Sequence, residues 1–273
     1  MKERIIVSLT SYGERIEALP ITLDSIFSQT VLPDLVVLNL AVGEEVSPRM
    51  QAYFDEKQIE IFYVDNIKVY KKVIPTLRRY PHDVVICIDD DWIYPPQMIA
   101  EFMEFHEKHP NSPISGNHIV EFGMVCHCGC ASLTKAAFLG DFLNSVDCRE
   151  LLENCPCDDI AYTYFSIQSG HPYYRTANEY FFNLVQNGKG DGYSLEMRKI
   201  NGLEKSYRYL ISKYGPLPSF DAQYIDDSEL SMIVSDIHQQ QVSQAVDEVK
   251  KSVRYKIGNV LLFPFSLIKR LFY

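Results

Sequence analysis

The run Val84 to Asp91, VVICIDDD, constrains this chain more than any other stretch. Val84, Val85, Ile86, Cys87 and Ile88 form an unbroken apolar segment of strand length, rich in β-branched residues, and so predict a central parallel strand buried on both faces. Such a strand points its C-terminal end at the ligand crevice of an open α/β sheet. Asp89, Asp90 and Asp91 are therefore gathered at that edge, where their mutual repulsion demands compensation. A divalent cation that prefers oxygen ligands, Mg²⁺ or Mn²⁺, supplies it most simply, and a metal-bound phosphate ester is the expected cargo. The plainer reading is a solvated acidic turn ahead of a helix begun by Pro95 and Pro96. It carries less weight, because a wholly apolar strand delivers these acids to a sheet edge.

Length and charge narrow the field. A chain of 273 residues can bury one full α/β core with an appendage. A formal net charge of −10 argues against nucleic acid as the main partner, since its recognition needs basic grooves. Lys2, Glu3 and Arg4 run straight into a strand without the apolar stretch of a signal peptide, and the catalytic part is expected in the cytoplasm. Seven cysteines, several beside strand-like segments, fit reduced thiols better than a disulfide framework. Cys126, His127, Cys128, Cys130, Cys155 and Cys157 lack the knuckle spacing of structural zinc sites and read as packed thiols.

Taken in order, Ile5 to Leu9 predicts the first strand, and Thr10, Ser11, Tyr12 and Gly13 a turn at its end. Arg15 and Tyr12 there suit a nucleobase or diphosphate, by stacking and bidentate hydrogen bonds. Leu19 to Gln29 predicts a helix, Leu35 to Leu40 a strand, Pro48 to Glu56 a helix and Ile59 to Val64 a third strand. Lys71 and Lys72 are placed near the start of a short helix, where they suit a pyrophosphate or simply form a solvated basic face. Beyond the acids, Pro95 to His106 predicts an amphipathic helix, Pro113 to Val120 and Val125 to Leu133 strands, and Lys135 to Leu143 a helix. Gly129 is a strand glycine of the kind that lets a ligand approach the backbone.

A second acidic pair follows. Asp158 and Asp159 precede a segment whose Ile160, Tyr164 and Ile167 share a helical face, so Asp158 is expected as the cap and Asp159 in the first turn. Two carboxylates exceed what a cap needs, and the pair is a candidate catalytic centre. Tyr173 to Arg175 and Glu179 to Leu184 suggest edge strands, Asn187 to Tyr193 a loop over the site, and Lys205 to Tyr214 a helix ended by Gly215 and Pro216. The chain thus divides into a catalytic domain (1–215), a linker with a helix at Ile237 to Val249 (216–249), and a tail (250–273). The tail has Lys250, Lys251, Arg254, Lys256, Lys269 and Arg270, no acid, and apolar residues interrupted by Pro264. Its uninterrupted apolar run is too short to span a bilayer, and the tail suits an anionic membrane surface, with docking on the protein's own core as the alternative.

These segments together resemble the GT-A glycosyltransferases, in particular bacterial family 2-like enzymes of capsule and surface-polysaccharide synthesis. The resemblance lies in VSLTSYGERI with SIFSQTVLPD, in YKKVIPTLRRYPHDVVICIDDDWIYPP, in GCASLTKAAF and in CPCDDIAYTYF, the last also similar to exostosin-type hexosaminyltransferases. It implies a mixed, mainly parallel Rossmann-like sheet flanked by helices, with a C-terminal helical extension. It implies a Mn²⁺ or Mg²⁺ ion ligated by Asp91 and Asp89, and donor contacts from Thr10, Tyr12, Arg15, Asp65, Lys71, Lys72, Asp89 and Asp90. Gly129 would lie on the acceptor side, and Asp159, with Asp158, would be catalytic. The implied reaction moves a sugar from a nucleotide-sugar donor, a UDP-sugar first, to a glycan or lipid-linked acceptor at the inner face of the membrane. The rivals are a nucleotidyltransferase, which would want more glycine than Gly13 in its first turn, a phosphotransferase, whose haloacid-dehalogenase type would want an aspartate where the first strand ends in Ser8, Leu9 and Thr10, and a non-catalytic, membrane-tethered sugar- or nucleotide-binding module with a degenerate transferase fold.

Overall fold

A computed structural model describes residues 3–116, 118–121, 124–127, 131–176, 185–186 and 201–217. The chain divides into two units at Phe220, and every described residue belongs to the first. Gly129, the loop Asn187 to Tyr193, the strand expected at Glu179 to Leu184, the helix Ile237 to Val249 and the tail lie outside the described residues. Among those described, no helix is long and apolar enough to cross a membrane.

The first half alternates strands and helices: β1 (Ile5–Thr10), α1 (Leu19–Phe27), β2 (Leu35–Ala41), α2 (Pro48–Glu56), β3 (Glu60–Val64), α3 (Ile74–Arg79) and β4 (Val84–Ile88). There follow β5 (Trp92–Ile93), α4 (Met98–Lys108), β6 (Ile114–Ser115), β7 (His118–Glu121), β8 (Met124–His127) and β9 (Ala131–Thr134). The described part ends with α5 (Phe142–Ser145), α6 (Cys148–Asn154), α7 (Asp158–Gln168), β10 (Tyr174–Arg175), β11 (Val185–Gln186) and α8 (Gly202–Tyr214). Short 3-10 helices occupy Gly13–Ala18, Lys68–Lys72 and Ala136–Leu139.

Seven strands form one sheet in the order β10-β6-β9-β4-β1-β2-β3. The pairs β1–β2, β2–β3, β1–β4 and β6–β10 are parallel, while β9 runs antiparallel to both β4 and β6. The acid-bearing strand is therefore central and fully buried, as its composition requires, but parallel to its neighbour on one side only. The chain steps outward from β1 to β3 and then returns to place β4 on the other flank of β1. That reversal opens a crevice at the C-terminal ends of β1 and β4.

Alternation along the strands fills both faces. Ile6, Val37, Val85 and Cys87 pack with Tyr70, Ile74 and Leu77 and with α6, α7 and α8. Val7, Leu9, Leu38, Leu40, Ile86 and Ile88 are equally buried on the opposite face. Pro48 opens α2 behind the cap Ser47, whose hydroxyl accepts the Met50 N–H.

Several boundaries depart from the sequence expectation. The strand expected over Pro113 to Val120 is two, β6 and β7, and that expected over Val125 to Leu133 is β8 and β9. The helix expected over Lys135 to Leu143 breaks at Gly140, whose φ of 54° lies in the left-handed region, leaving a 3-10 turn and α5. Pro95 and Pro96 precede α4 rather than open it. Periodicity gave no sign of α6, which Asp147 caps by accepting the Arg149 and Glu150 N–H groups.

Candidate active site

The crevice is built where β1 and β4 end. Ser11 Oγ, just past β1, donates to Asp90 Oδ2 at 2.6 Å, and Arg15 Nε donates to the same oxygen at 3.0 Å. Arg15 Nη2 pairs with the other Asp90 oxygen and lies 3.1 Å from Asp91 Oδ2. The planar guanidinium thus grips Asp90 with two donors and reaches the next acid along. Asp90 holds Arg15 firmly charged against the cost of its partial burial. The Tyr12 ring lies 5.6 Å from the Arg15 guanidinium and is half exposed beside it.

Asp89 faces the other way. Its Oδ1 accepts from Lys72 Nζ at 3.1 Å, and the same ammonium lies 3.2 Å from Asp158 Oδ2 at the start of α7. One cation therefore touches an acid of the β4 run and an acid of the second pair. The Lys72 side chain is 9% exposed and that of Asp158 7%, whereas Asp89 keeps 27% at the mouth of the crevice. Burial alone would discharge Lys72, but Asp158, Asp89 and Asp159 hold it well above the ordinary lysine range. Burial likewise pushes the Asp89 carboxyl up to about 7, against the pull of Lys72 and with help from Asp91 and Asp158.

Lys71 and Lys72 stand in the last turn of the 3-10 helix ahead of α3, not at a helix start, and both are buried. A solvated basic face is thereby excluded for this pair. Burial lowers the Lys71 ammonium, opposed by Glu44, whose Oε2 accepts the Gly13 N–H at 2.9 Å. Thr10 spends its hydroxyl on the Asn39 carbonyl at 2.7 Å. Asp65 lies exposed beyond β3.

The cap of α7 is Cys157, with extended backbone, and both aspartates lie in the first turn. Asp158 is thus not the cap; it is drawn inward by Lys72, leaving Asp159 as the more exposed of the two. Cys155 and Cys157 are buried free thiols. Burial pushes the Cys155 thiol up to about 11 and raises that of Cys157 well above its ordinary value, which disfavours the reactive thiolate at both.

Four contributors went unread in the sequence. Ser8 Oγ donates to the Lys72 carbonyl at 2.6 Å and meets Thr76 Oγ1 at 2.7 Å, while Asn39 Nδ2 donates to Thr76 Oγ1 at 2.9 Å. All three are fully buried and fix the backbone from which Lys72 reaches. Ser8 in IIVSLT and Asn39 in LVVLNLA were the available signal, because a polar residue inside a buried strand must find a partner. The fourth is Tyr94, whose hydroxyl accepts the Asp89 N–H at 2.9 Å and donates to the Asp89 carbonyl at 3.2 Å.

Among the described residues no group of three or more His, Cys, Asp or Glu side chains is arranged to hold a metal. Asp90 is gripped on both oxygens by Arg15 and Ser11, while Asp89 meets Lys72 and Asp91 meets Arg15 through one oxygen each among the contacts described, so Asp89 and Asp91 are the two acids that could also turn to an ion. Two carboxylates completed by phosphate oxygens and water are a usual complement for Mg²⁺, so this donor set fits an ion that arrives with a phosphate ligand.

No protein-family model matches the sequence, and no curated protein matches it. Solved structures do match in fold. The mannosyltransferase PcManGT from Pyrobaculum calidifontis, in complex with GDP-Man and Mn²⁺, aligns with a TM-score of 0.61 at 13% identity over 95% of this chain and 84% of its own. S. aureus TarS 1-349 in complex with UDP-GlcNAc aligns with a TM-score of 0.58 at 11% identity over 93% of this chain and 77% of its own. The mixed, mainly parallel sheet flanked by helices is that of the GT-A glycosyltransferases.

Proposed function

We propose that this chain is a glycosyltransferase that moves a sugar from a nucleotide-sugar donor, a UDP-sugar first, to a glycan or lipid-linked acceptor. The observation that carries this reading is the placement of Asp89, Asp90 and Asp91 at the sheet's switch point, tied through one buried ammonium to a second acidic pair. The similar solved proteins were crystallised with GDP-Man and Mn²⁺ or with UDP-GlcNAc, which supports a nucleotide-sugar donor. The resemblance of the quoted segments to bacterial surface-polysaccharide enzymes supports the finer assignment.

In this reading Asp89 and Asp91 hold a divalent ion, which would stabilise charge on the departing nucleoside diphosphate. Arg15 and Ser11 keep Asp90 fixed, so that the turn carrying its two neighbours does not shift. Tyr12 and Arg15 line the donor side, with Lys71 next to Glu44. Lys72 anchors Asp158 inside the cleft through their 3.2 Å ion pair, and Asp159 beside it faces the acceptor. For inversion, Asp159 takes the proton of the acceptor hydroxyl as that oxygen attacks the anomeric carbon. For retention, the same carboxylate stabilises the cationic sugar centre. The basic apolar tail, 250–273, is proposed to rest on the anionic inner face of the cell membrane.

Asp159→Asn tests the assignment. Nucleotide affinity is expected to stay within about twofold of wild type, while transfer falls by about 10²- to 10⁴-fold. Equal loss of binding and transfer would make Asp159 a structural residue.

A further inference from the structure

We infer that Lys72 is the resident cation of the cleft, holding the place beside Asp89 so that Mg²⁺ or Mn²⁺ enters only with an anionic ligand such as a nucleoside diphosphate. The inference deepens the proposed function and rests on its assignment of a metal to Asp89 and Asp91. Three features of the structure lead to it.

The first is the position of the ammonium, 3.1 Å from Asp89 Oδ1 and 3.2 Å from Asp158 Oδ2. A divalent ion ligated by that Asp89 oxygen would face a like charge within a few ångströms, on a lysine whose side chain is only 9% exposed. The second is that Lys72 cannot retreat by moving its backbone. Its carbonyl is held by Ser8, and Ser8 is held in turn by Thr76 and Asn39 inside the sheet. Only the side chain is left to respond.

The third is the surroundings of Asp158. Its Oδ2, although paired with the ammonium, accepts no hydrogen bond from the described residues. One turn along α7 Tyr162 is 2% exposed, and its hydroxyl also has no hydrogen-bond partner among the described residues. Asp158 and Lys72 are the leading charges acting on that phenol, after burial itself. The buried phenol is a donor in reserve for Asp158 when the ammonium turns to another anion. A diphosphate supplies that anion: its oxygens can serve the ammonium and complete the coordination of the ion together. Lys72 then changes from a barrier to a bare cation into a contact for the phosphate that accompanies it.

The test measures Mn²⁺ binding to the full-length protein by electron paramagnetic resonance of the free ion, with and without UDP or GDP. In wild type, Mn²⁺ alone should bind weakly and nucleotide should tighten it by about tenfold or more. In Lys72→Met, Mn²⁺ alone should bind about tenfold more tightly than in wild type, and the gain from nucleotide should shrink. Wild type binding Mn²⁺ equally well with and without bound nucleotide would overturn the inference, as would a folded Lys72→Met that binds the bare ion no better. A thermal melt checks folding; if Lys72→Met does not fold, Lys72→Gln takes its place, and the wild-type comparison stands without either. If wild type binds neither nucleotide, the glycosyltransferase reading falls, and Mn²⁺ alone with wild type and Lys72→Met still decides whether the ammonium excludes the ion.

Discussion

Tyr94 shows how one atom can set the geometry of an acidic turn. Its hydroxyl receives the Asp89 N–H and gives its own proton to the Asp89 carbonyl, and the ring is buried. Removing that oxygen leaves two backbone groups without their partner, which costs about 1 to 3 kcal/mol. Tyr94→Phe is therefore expected to lower stability by this amount in chemical denaturation and to weaken Mn²⁺–nucleotide binding, since Asp89 loses its anchor. Binding equal to wild type would show that the turn holds its shape through Arg15 and Ser11 alone. At this scale the sequence was legible where like residues cluster: Asp89 to Asp91, Asp158 with Asp159, and Arg15. It was illegible where a role depends on a partner far along the chain, as Lys72 depends on Asp158 and Ser8 on Thr76. Asp158 looked like a cap because its type suits one, yet the extended backbone of Cys157 takes that position and Lys72 draws the carboxylate inward.

The elements divide in the same way. Strands β1 to β4 and helix α2 follow from apolar runs and a Pro behind a Ser cap, all local signals. The direction of β9 does not, because antiparallel pairing with β4 is decided by the connection rather than by the strand's own residues. Nor was the split of residues 113–133 into four strands visible, since short strands and their turns share one apolar composition. The other end of the sheet carries a separate clamp. Asp83, just before β4, accepts the Arg4 N–H at 3.0 Å and Arg4 Nη2 at 2.6 Å, joining the starts of β1 and β4. Those hydrogen bonds hold the Asp83 carboxyl below its ordinary value of 3.8. A depressed carboxyl adds stability above its unfolded value and loses it as pH falls through the folded one. The Asp83 side chain is 12% exposed but that of Arg4 is half in water, where solvent screens the pair. Asp83→Asn should be less stable than wild type at pH 7, and the gap should close below about pH 4. A gap unchanged from pH 7 to pH 3 would mean that the carboxylate's charge contributes nothing.

Across the whole molecule, the order of the strands gives the acids their chemical meaning. The same three aspartates on an outer loop would be a solvated turn; at the reversal between β1 and β4 they border a crevice reached from α7 as well. The net charge of −10 adds a second constraint, for anionic donors must be drawn in by local cations against the field of the chain. In the proposed function Arg15, Lys71 and Lys72 are those cations, and Arg15 and Lys72 lie against the acids that follow β4. The most direct test of the account is the release of nucleoside diphosphate from UDP- and GDP-sugars by the full-length protein, with and without Mn²⁺, compared with Asp91→Ala. Wild type should release it from at least one donor when Mn²⁺ is present, and Asp91→Ala, folded by its melt, should be slower by about a hundredfold or more. Equal turnover by the two proteins would contradict the assignment of these acids to the chemistry.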